Sequence, residues 1–566
     1  MPEEKYLPFL KSLDQLGFCL FKLFDDAEIA ALKNLYEEHF GTKEMRDMYS
    51  SHNSNPVEKS LAINKAIKEI TAKKTAAVFP GYNFFIGHFV VKAANTENVF
   101  SLHQDWNIVD ERKFKSYQIW IPLQLTYPKN GGLFVLPGSH KFFFNYRSGS
   151  YGIPVIPFDE NIEALVTNIF APAGNVVAYQ NGLFHGSHRN QSNEDRIAVI
   201  VNVVEKNAPV YFFQKNEAEK NTDLYSITGE TLIEHLPQLE KGIVGASIPL
   251  TGKTEVSPFA NEKITSAELA SRYRQTFGNI GGAQLKQLHI AVHAELENQL
   301  NESGYAVIDL LNATEVAAFT NEYLLHFGNL DRAPGRFTTL QDTTALLKKQ
   351  MHDFIVKNVD APLRKFFRDF TIPVSQFYIK KAHTSGDIDI HADSTLLLNH
   401  QLEPHYGIWV ALVDTDETNG TLTVIPHSHK IQGAFFASSI SAYHGEHTEW
   451  LRQFEIPVKL KAGQAIIFDN NILHSSTANK TDNNRLVFTF RITHFASQYY
   501  SLLCLNRNEN SSIEVSEETH HYYMDENWDG NSKKITGKHI GTMQHSILRM
   551  STQELEKLLN LSILSA

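Results

Sequence analysis

At 566 residues the chain is long enough for several domains, and its formal net charge of −11 sets aside a generally basic nucleic-acid surface, a local basic groove excepted. Its only cysteines are Cys19 and Cys504, which excludes a disulfide framework and a thiolate metal site. No apolar run approaches the roughly 20 residues that span a bilayer, and the Met1-Pro2-Glu3-Glu4 start lacks a secretion signal, so a cytoplasmic, soluble protein without membrane or nucleic-acid partners is expected.

In chain order, Leu16-Gly17-Phe18 leads into a predicted helix through Ile29, Leu32, Leu35 and Tyr36 to Phe40. Asp25 with Glu28 fits an N-terminal capping pair, and Gly41 fits a stop. Residues 42–75 are polar and tolerate helix, and 83–92 reads as a strand. His103 and Asp105 follow, two residues apart, so on a strand they share one face. Such a pair supplies two of the three ligands of the 2-His-1-carboxylate triad that holds non-heme Fe(II) with open positions. From Ser116, Ile119, Ile121, Leu123 and Leu125 alternate with Gln118, Trp120, Pro122 and Gln124, which predicts a strand. Asn130 to Lys141 reads as a strand between turns. His185-Gly186-Ser187 offers the third ligand, and Arg196, eleven residues after His185, suits two-point binding of a carboxylate. Residues 214–285 are polar and mixed, with helical signals at 230–236, stopped by Pro237, and at 266–277.

The pattern occurs twice. His391 and Asp393 follow His103 and Asp105 by 288 residues, while His474 and Arg485 follow His185 and Arg196 by 289. The capping pair recurs as Asn312 and Glu315, the turn ending in His140-Lys141 as His429-Lys430, and Trp120 as Trp409. The chain therefore reads as two copies of one unit, residues 1–286 and 287–566, with no low-complexity linker. The copies are expected to pack on each other, and a homo-oligomer stays open. Many short strands with Gly and Pro punctuation predict a mainly β fold with flanking helices, a sandwich or jelly roll.

Twenty-six histidines make false ligands common, and the repeat sorts them. His188, His383 and His405 lack a histidine counterpart and are rejected. His140 and His429 recur but read as structural hydrogen-bonding residues. Lys92 and Lys380 also recur, and read as solvated edge-strand lysines. Trp120 and Trp409 sit opposite the aliphatic residues of their strands, as a cavity wall requires.

With His103-Gln104-Asp105, the run from Gly132 to Lys141, and His185-Gly186-Ser187 with Arg196, each unit resembles the phytanoyl-CoA dioxygenase family of Fe(II)- and 2-oxoglutarate-dependent oxygenases. The resemblance covers residues 83–204 and 371–493 and implies a double-stranded β-helix, the cupin-like jelly roll, in each unit. It implies that His103, Asp105, His185 and their counterparts His391, Asp393 and His474 bind iron. It further implies that Trp120, Ser187 and Arg196, with Trp409, Ser476 and Arg485 in the second unit, contact 2-oxoglutarate. O2 would be the other cosubstrate. No catalytic residue beyond the metal ligands is expected, and the substrate would be a small molecule hydroxylated at an aliphatic C–H bond with release of succinate and CO2. Both units keep the Asp that related halogenases lack. The second departs at Ala392, His427 and Ser475, which bears on substrate choice and loop geometry. Two other readings stand beside this one: a single catalytic unit with a scaffold or substrate-recognition unit, and a non-oxidative cupin-like metal-binding protein or isomerase.

Overall fold

The computed structural model describes residues 2–41, 47–52, 55–216, 221–244, 248, 250–256, 261–278, 285–328, 335–384, 387–431, 435–437, 445–505, 510–518, 537–546 and 550–559. The chain divides into two compact units, Met1–Gln287 and Leu288–Ala566. Each is strand-rich with flanking helices, and all its paired strands are antiparallel.

The larger sheet of the first unit runs, in spatial order, Phe18–Lys22, Asn175–Gln180, Ser116–Pro122, Arg196–Glu205, Tyr82–Lys92 and Met48–Ser50. In the second unit the same order is Tyr305–Asp309, Gln464–Asp469, His405–Ala411, Arg485–His494, Ser375–Lys380 and Arg336–Thr338, with Phe370–Thr371 added on Arg485–His494. A smaller sheet carries the histidines: Phe100–His103, His185–Ser187 and Leu133–Val135 lie side by side in the first unit, and Ile388–His391, His474–Ser476 and Leu422–Val424 in the second.

Alternation along the strands divides the apolar side chains between the two faces of the larger sheet. In the second unit Ile408, Val410, Phe377 and Phe488 face the helices Ala313–Phe327 and Ala345–Leu363, packing on Phe319, Tyr323, Met351, Ile355 and Val359. The Phe319 and Phe488 rings stack at 4.3 Å. Trp409, Ala411, Val487, Ile466 and Phe468 point the other way, into a cluster with Leu422 and Val424 of the smaller sheet. The register thus leaves a lined interior between the two sheets.

Two helices begin at the capping pairs the sequence predicts. Asp25 Oδ1 accepts from the Ala27 and Glu28 amides, and Glu28 reaches back to the Asp25 amide, opening Asp26–Phe40. Asn312 and Glu315 do the same for Ala313–Phe327. Pro237, by contrast, does not stop its helix, which runs Gly229–Leu239. A proline so near the end removes a single amide donor, and the Glu240 amide closes the turn on Leu236 O. Residues 214–285, polar and mixed in sequence with helical signals at 230–236 and 266–277, also supply Asn221–Ser226 and Thr251–Val256, which with Tyr211–Asn216 form a third sheet. Tyr499–Cys504, Asn510–Glu518 and Lys538–Ser546 repeat it in the second unit. No helix among the described residues is long and apolar enough to cross a membrane.

The Phe319–Phe488 stack yields a packing prediction. Phe319→Ala is expected to cost about 3–5 kcal/mol, read as an earlier urea transition of the second unit. The Phe319→Ala/Phe488→Ala double variant should cost less than the two single losses added, because the rings share one contact.

Candidate metal centres

Strand register builds each triad. His103 lies directly opposite His185 in the antiparallel ladder, and His391 directly opposite His474. Each pair of rings has its centroids 4.3 Å apart. Asp105 follows just past its strand, its amide donating to Asn181 O and its carbonyl accepting from the fully buried Arg147. His103, Asp105 and His185 form one converging donor group, and His391, Asp393 and His474 another, the two such groups of three or more found among the described residues.

All four imidazoles are oriented alike. The Nδ1 atoms of His103, His185, His391 and His474 stand 2.9, 3.0, 2.8 and 3.0 Å from the carbonyl oxygens of Ser101, Leu183, Asp389 and Ile472. A carbonyl only accepts, so each Nδ1 carries the proton and each Nε2 keeps its lone pair. Those Nε2 atoms look toward the carboxylate: His103 and His185 lie 3.9 and 3.7 Å from the Asp105 oxygens, too far to hydrogen-bond. With metal–ligand bonds of about 2.1 Å, two ligands of one ion stand roughly 3 to 4 Å apart. The spacing suits a shared cation, and the buried Asp105 Oδ2 has no hydrogen-bond partner.

Electrostatics separate the two centres. Burial pushes the His185 imidazole down to about 4, and burial helped by a neighbouring imidazole does the same for His103 and His474. Burial raises the Asp105 carboxyl above its usual range. Partial burial acts on Asp393 in the same direction, but Arg491, His474 and His391 outweigh it and hold its carboxyl down at about 2. Arg491 Nη2 stands 3.2 Å from Asp393 Oδ1.

The remaining predicted residues line the same interiors. Arg196 and Arg485 are each 1% exposed. The Arg196 guanidinium lies 5.5 Å from the Trp120 ring, and Arg485 lies 5.0 Å from Trp409 and 5.1 Å from Tyr378. Arg485 donates one bond, to Gly420 O at 2.7 Å, but its Nε and Nη2, like Nε and Nη1 of Arg196, find no acceptor. Ser187 and Ser476 are placed by the lysines beside them. In the second unit His391, Asp393, His474, Trp409, Ser476 and Arg485 border one cavity of about 310 Å³.

Lys92 and Lys380 correct the reading as solvated edge residues, for both are buried. Lys92 Nζ donates to Ser187 Oγ at 2.9 Å and to the carbonyls of Ser187 and His188, and Lys380 Nζ repeats this on Ser476 and Thr477. Burial beside a guanidinium pushes both amines down to about 7. Their recurrence in the sequence was the available signal. Arg491 was missed because the repeat hides it, its counterpart being the neutral Asn202. His140 and His429 do prove structural: each donates through Nε2 to a helix carbonyl, Asp14 O at 3.3 Å and Asn301 O at 3.1 Å, beside the cap glycines Gly17 and Gly304. His188 is held by Asn168 and His383 by Asp482, away from either triad.

The departures of the second unit are accommodated locally. A Cβ on Gly186 would collide with Phe100 O and the Phe134 ring. At Ser475 the facing residue is Thr423 instead, and the two hydroxyls hydrogen-bond. His427 adopts the same left-handed turn as Gly138, at φ 68° against 77°.

Two expectations follow. Gly186→Ser should disrupt the first centre, lowering its metal affinity at least tenfold, whereas Ser475→Gly should leave the second within about threefold; metal titration of each variant checks this. The metal-free protein should also lose stability as pH falls from 6.5 toward 4. In that window seven imidazoles that full or partial burial holds near 4, those of His52, His103, His140, His185, His188, His474 and His494, stay neutral while the unfolded chain protonates. Asp105, with its raised value, opposes this as a single group. Urea midpoints at pH 7, 6 and 5 with a chelator present should fall in that order.

Known proteins resemble this chain over part of its length. Phytanoyl-CoA dioxygenase domain-containing protein 1 of Danio rerio is 29% identical over 157 residues, 26% of this chain and 52% of that protein. Phytanoyl-CoA dioxygenase 1 of Oryza sativa subsp. japonica is 27% identical over 122 residues, 21% of this chain and 43% of that protein. The chain spans about half the length of the curated relatives it matches. Among solved structures, the epimerase SnoN in complex with Fe3+, alpha ketoglutarate and nogalamycin RO is 15% identical, with a TM-score of 0.30 over 45% of this chain and 95% of that one. EctD from S. alaskensis with 2-oxoglutarate and 5-hydroxyectoine is 19% identical, with a TM-score of 0.29 over 37% of this chain and 79% of that one. The phytanoyl-CoA dioxygenase (PhyH) family profile matches residues 14–198 and 300–487, and the chain belongs to that family, as a tandem duplication.

Proposed function

We propose that the chain is an Fe(II)- and 2-oxoglutarate-dependent dioxygenase with two active centres, one in each of two double-stranded β-helix domains, residues 1–286 and 287–566. The observation that carries this reading is the pairing, in both units, of a triad of converging Nε2 and carboxylate donors with a buried guanidinium that has N–H groups left without an acceptor. A buried cation of that kind is costly without a counter-anion. A dicarboxylate that chelates the metal at one end and meets Arg196 or Arg485 at the other removes that cost. Iron with 2-oxoglutarate and O2 would supply oxidation of an aliphatic C–H bond, releasing succinate and CO2.

The chain's own residues would bind, orient and shield. Carbonyl-held imidazoles keep Nε2 available for iron, and Asp105 or Asp393 completes the triad. Arg196 and Arg485 form two-point pairs with the distal carboxylate, while Trp120 and Trp409 wall that end against water. Lys92 and Lys380 hold Ser187 and Ser476 toward the cosubstrate. At about 310 Å³ the second cavity lies at the low end of the roughly 300–1,000 Å³ of ligand sites, which favours a small metabolite as substrate.

The test is an anaerobic titration with Fe(II) and 2-oxoglutarate, following the chelate absorbance. Two equivalents are expected in the wild type, and one in either His103→Ala or His391→Ala. One equivalent, lost in only one variant, would assign catalysis to that unit alone. Bound metal without the chelate band would sink the dioxygenase reading.

A further inference from the structure

The two units share their proposed cosubstrate-binding residues but differ at other positions on the same strand faces. Because residues opposite each other in an antiparallel ladder point to one face, register identifies the side chains that share the interior with the triads. In the second unit these include Arg336, Gln376, Gly407, Thr489 and Arg491, all of which border the cavity. At the matching places of the first unit stand Met48, His88, Gln118, Ile200 and Asn202. Two arginines have therefore replaced a methionine and an asparagine, and Gly407 has replaced the glutamine that would stand opposite Arg491.

That exchange changes the charge presented to a substrate. Under the proposed function, iron, 2-oxoglutarate, one Asp and one Arg sum to zero in either unit, and the lysines Lys92 and Lys380 cancel in the comparison. What remains is Arg336 and Arg491 in the second unit and no charged side chain at their counterparts in the first. Asp393 is the one acidic residue among those bordering the second cavity, and the sum already includes it. Arg491 bonds Asp393 through Nη2 at 3.2 Å, with its side chain 17% exposed. A planar guanidinium can join two carboxylates through different edges, so a second anion can share Arg491 with Asp393. Arg336 lies on the edge strand Arg336–Thr338, exposed at the same cavity.

We propose that the second centre selects an anionic small molecule, its carboxylate held by Arg491 and Arg336, whereas the first centre takes a neutral one through Gln118, Asn202 and His88. The uncharged wall of the first unit carries polar atoms to match: Gln118 Oε1, Asn202 Oδ1 and His88 Nδ1 are buried and lack a hydrogen-bond partner. This inference rests on the proposed function and names the substrate class of its two sites.

The experiment uses the full chain with Zn(II) in place of iron, as His103→Ala to leave the second centre loaded and as His391→Ala to leave the first. Calorimetry with 2-oxoglutarate tests the proposed function. Ligand-observed NMR then compares butanoate, pentanoate and hexanoate with butanamide, pentanamide and hexanamide in the 2-oxoglutarate-loaded protein. In the second centre the carboxylates are expected to bind at least tenfold tighter than the amides, and in the first no tighter. Arg336→Gln and Arg491→Gln should each reduce the preference and together bring it within twofold, with 2-oxoglutarate still bound. Equal binding of carboxylate and amide in the second centre, a preference that survives both substitutions, or the same preference in the first centre overturns the inference. Failure of 2-oxoglutarate to bind overturns the proposed function, and the inference falls with it.

Discussion

Everything about these centres depends on one register. Each pairs two short strands so that a histidine on one stands opposite a histidine on the other. The strands are only three or four residues long, so the ladder by itself contributes little stability. Its accuracy comes from the larger sheet behind it, whose apolar outer face is pinned to helices. Carbonyls two residues back then set each imidazole tautomer. The backbone therefore fixes the orientation of each imidazole in the donor set.

The duplication shows which parts of this design are tied together. Capping boxes, glycine-capped helix ends, the histidine over each cap and the buried lysine clamp are all present in both copies. Differences between the copies include Arg336 and Arg491 at the second cavity, and Ser475 and His427, each accommodated locally. Ser475 fits because Thr423 stands where Phe134 would obstruct it. His427 holds a positive φ, a backbone state for which histidine is among the better tolerated non-glycine residues.

Much of the site was legible because metal chemistry restricts residue type and spacing at once. His103 and Asp105, two residues apart, and Arg196, eleven after His185, could be read twice. The helix starts were legible for a similar reason, since a capping box is a local device. Long-range consequences were not. Nothing within a few residues of Lys92 says that its amine will lie under Ser187, ninety-five positions later. Arg491 shares strand parity with Arg485, but only the neighbouring strand, with glycine opposite, shows why an arginine fits there. The third sheet was obscured because Asn221–Ser226 and Thr251–Val256 are largely polar in sequence, and Pro237 was given more power to end a helix than it has near a C-terminus.

The lysine clamp has a practical consequence. Among the described residues most lysines are open to solvent, whereas Lys348 is 5% exposed and Lys92 and Lys380, one in each unit, are 1% and 0% exposed. An amine-directed reagent should spare both while the chain is folded. Their modification would then record the opening of one unit or the other, giving residue-level footprints that separate two unfolding events within a single polypeptide.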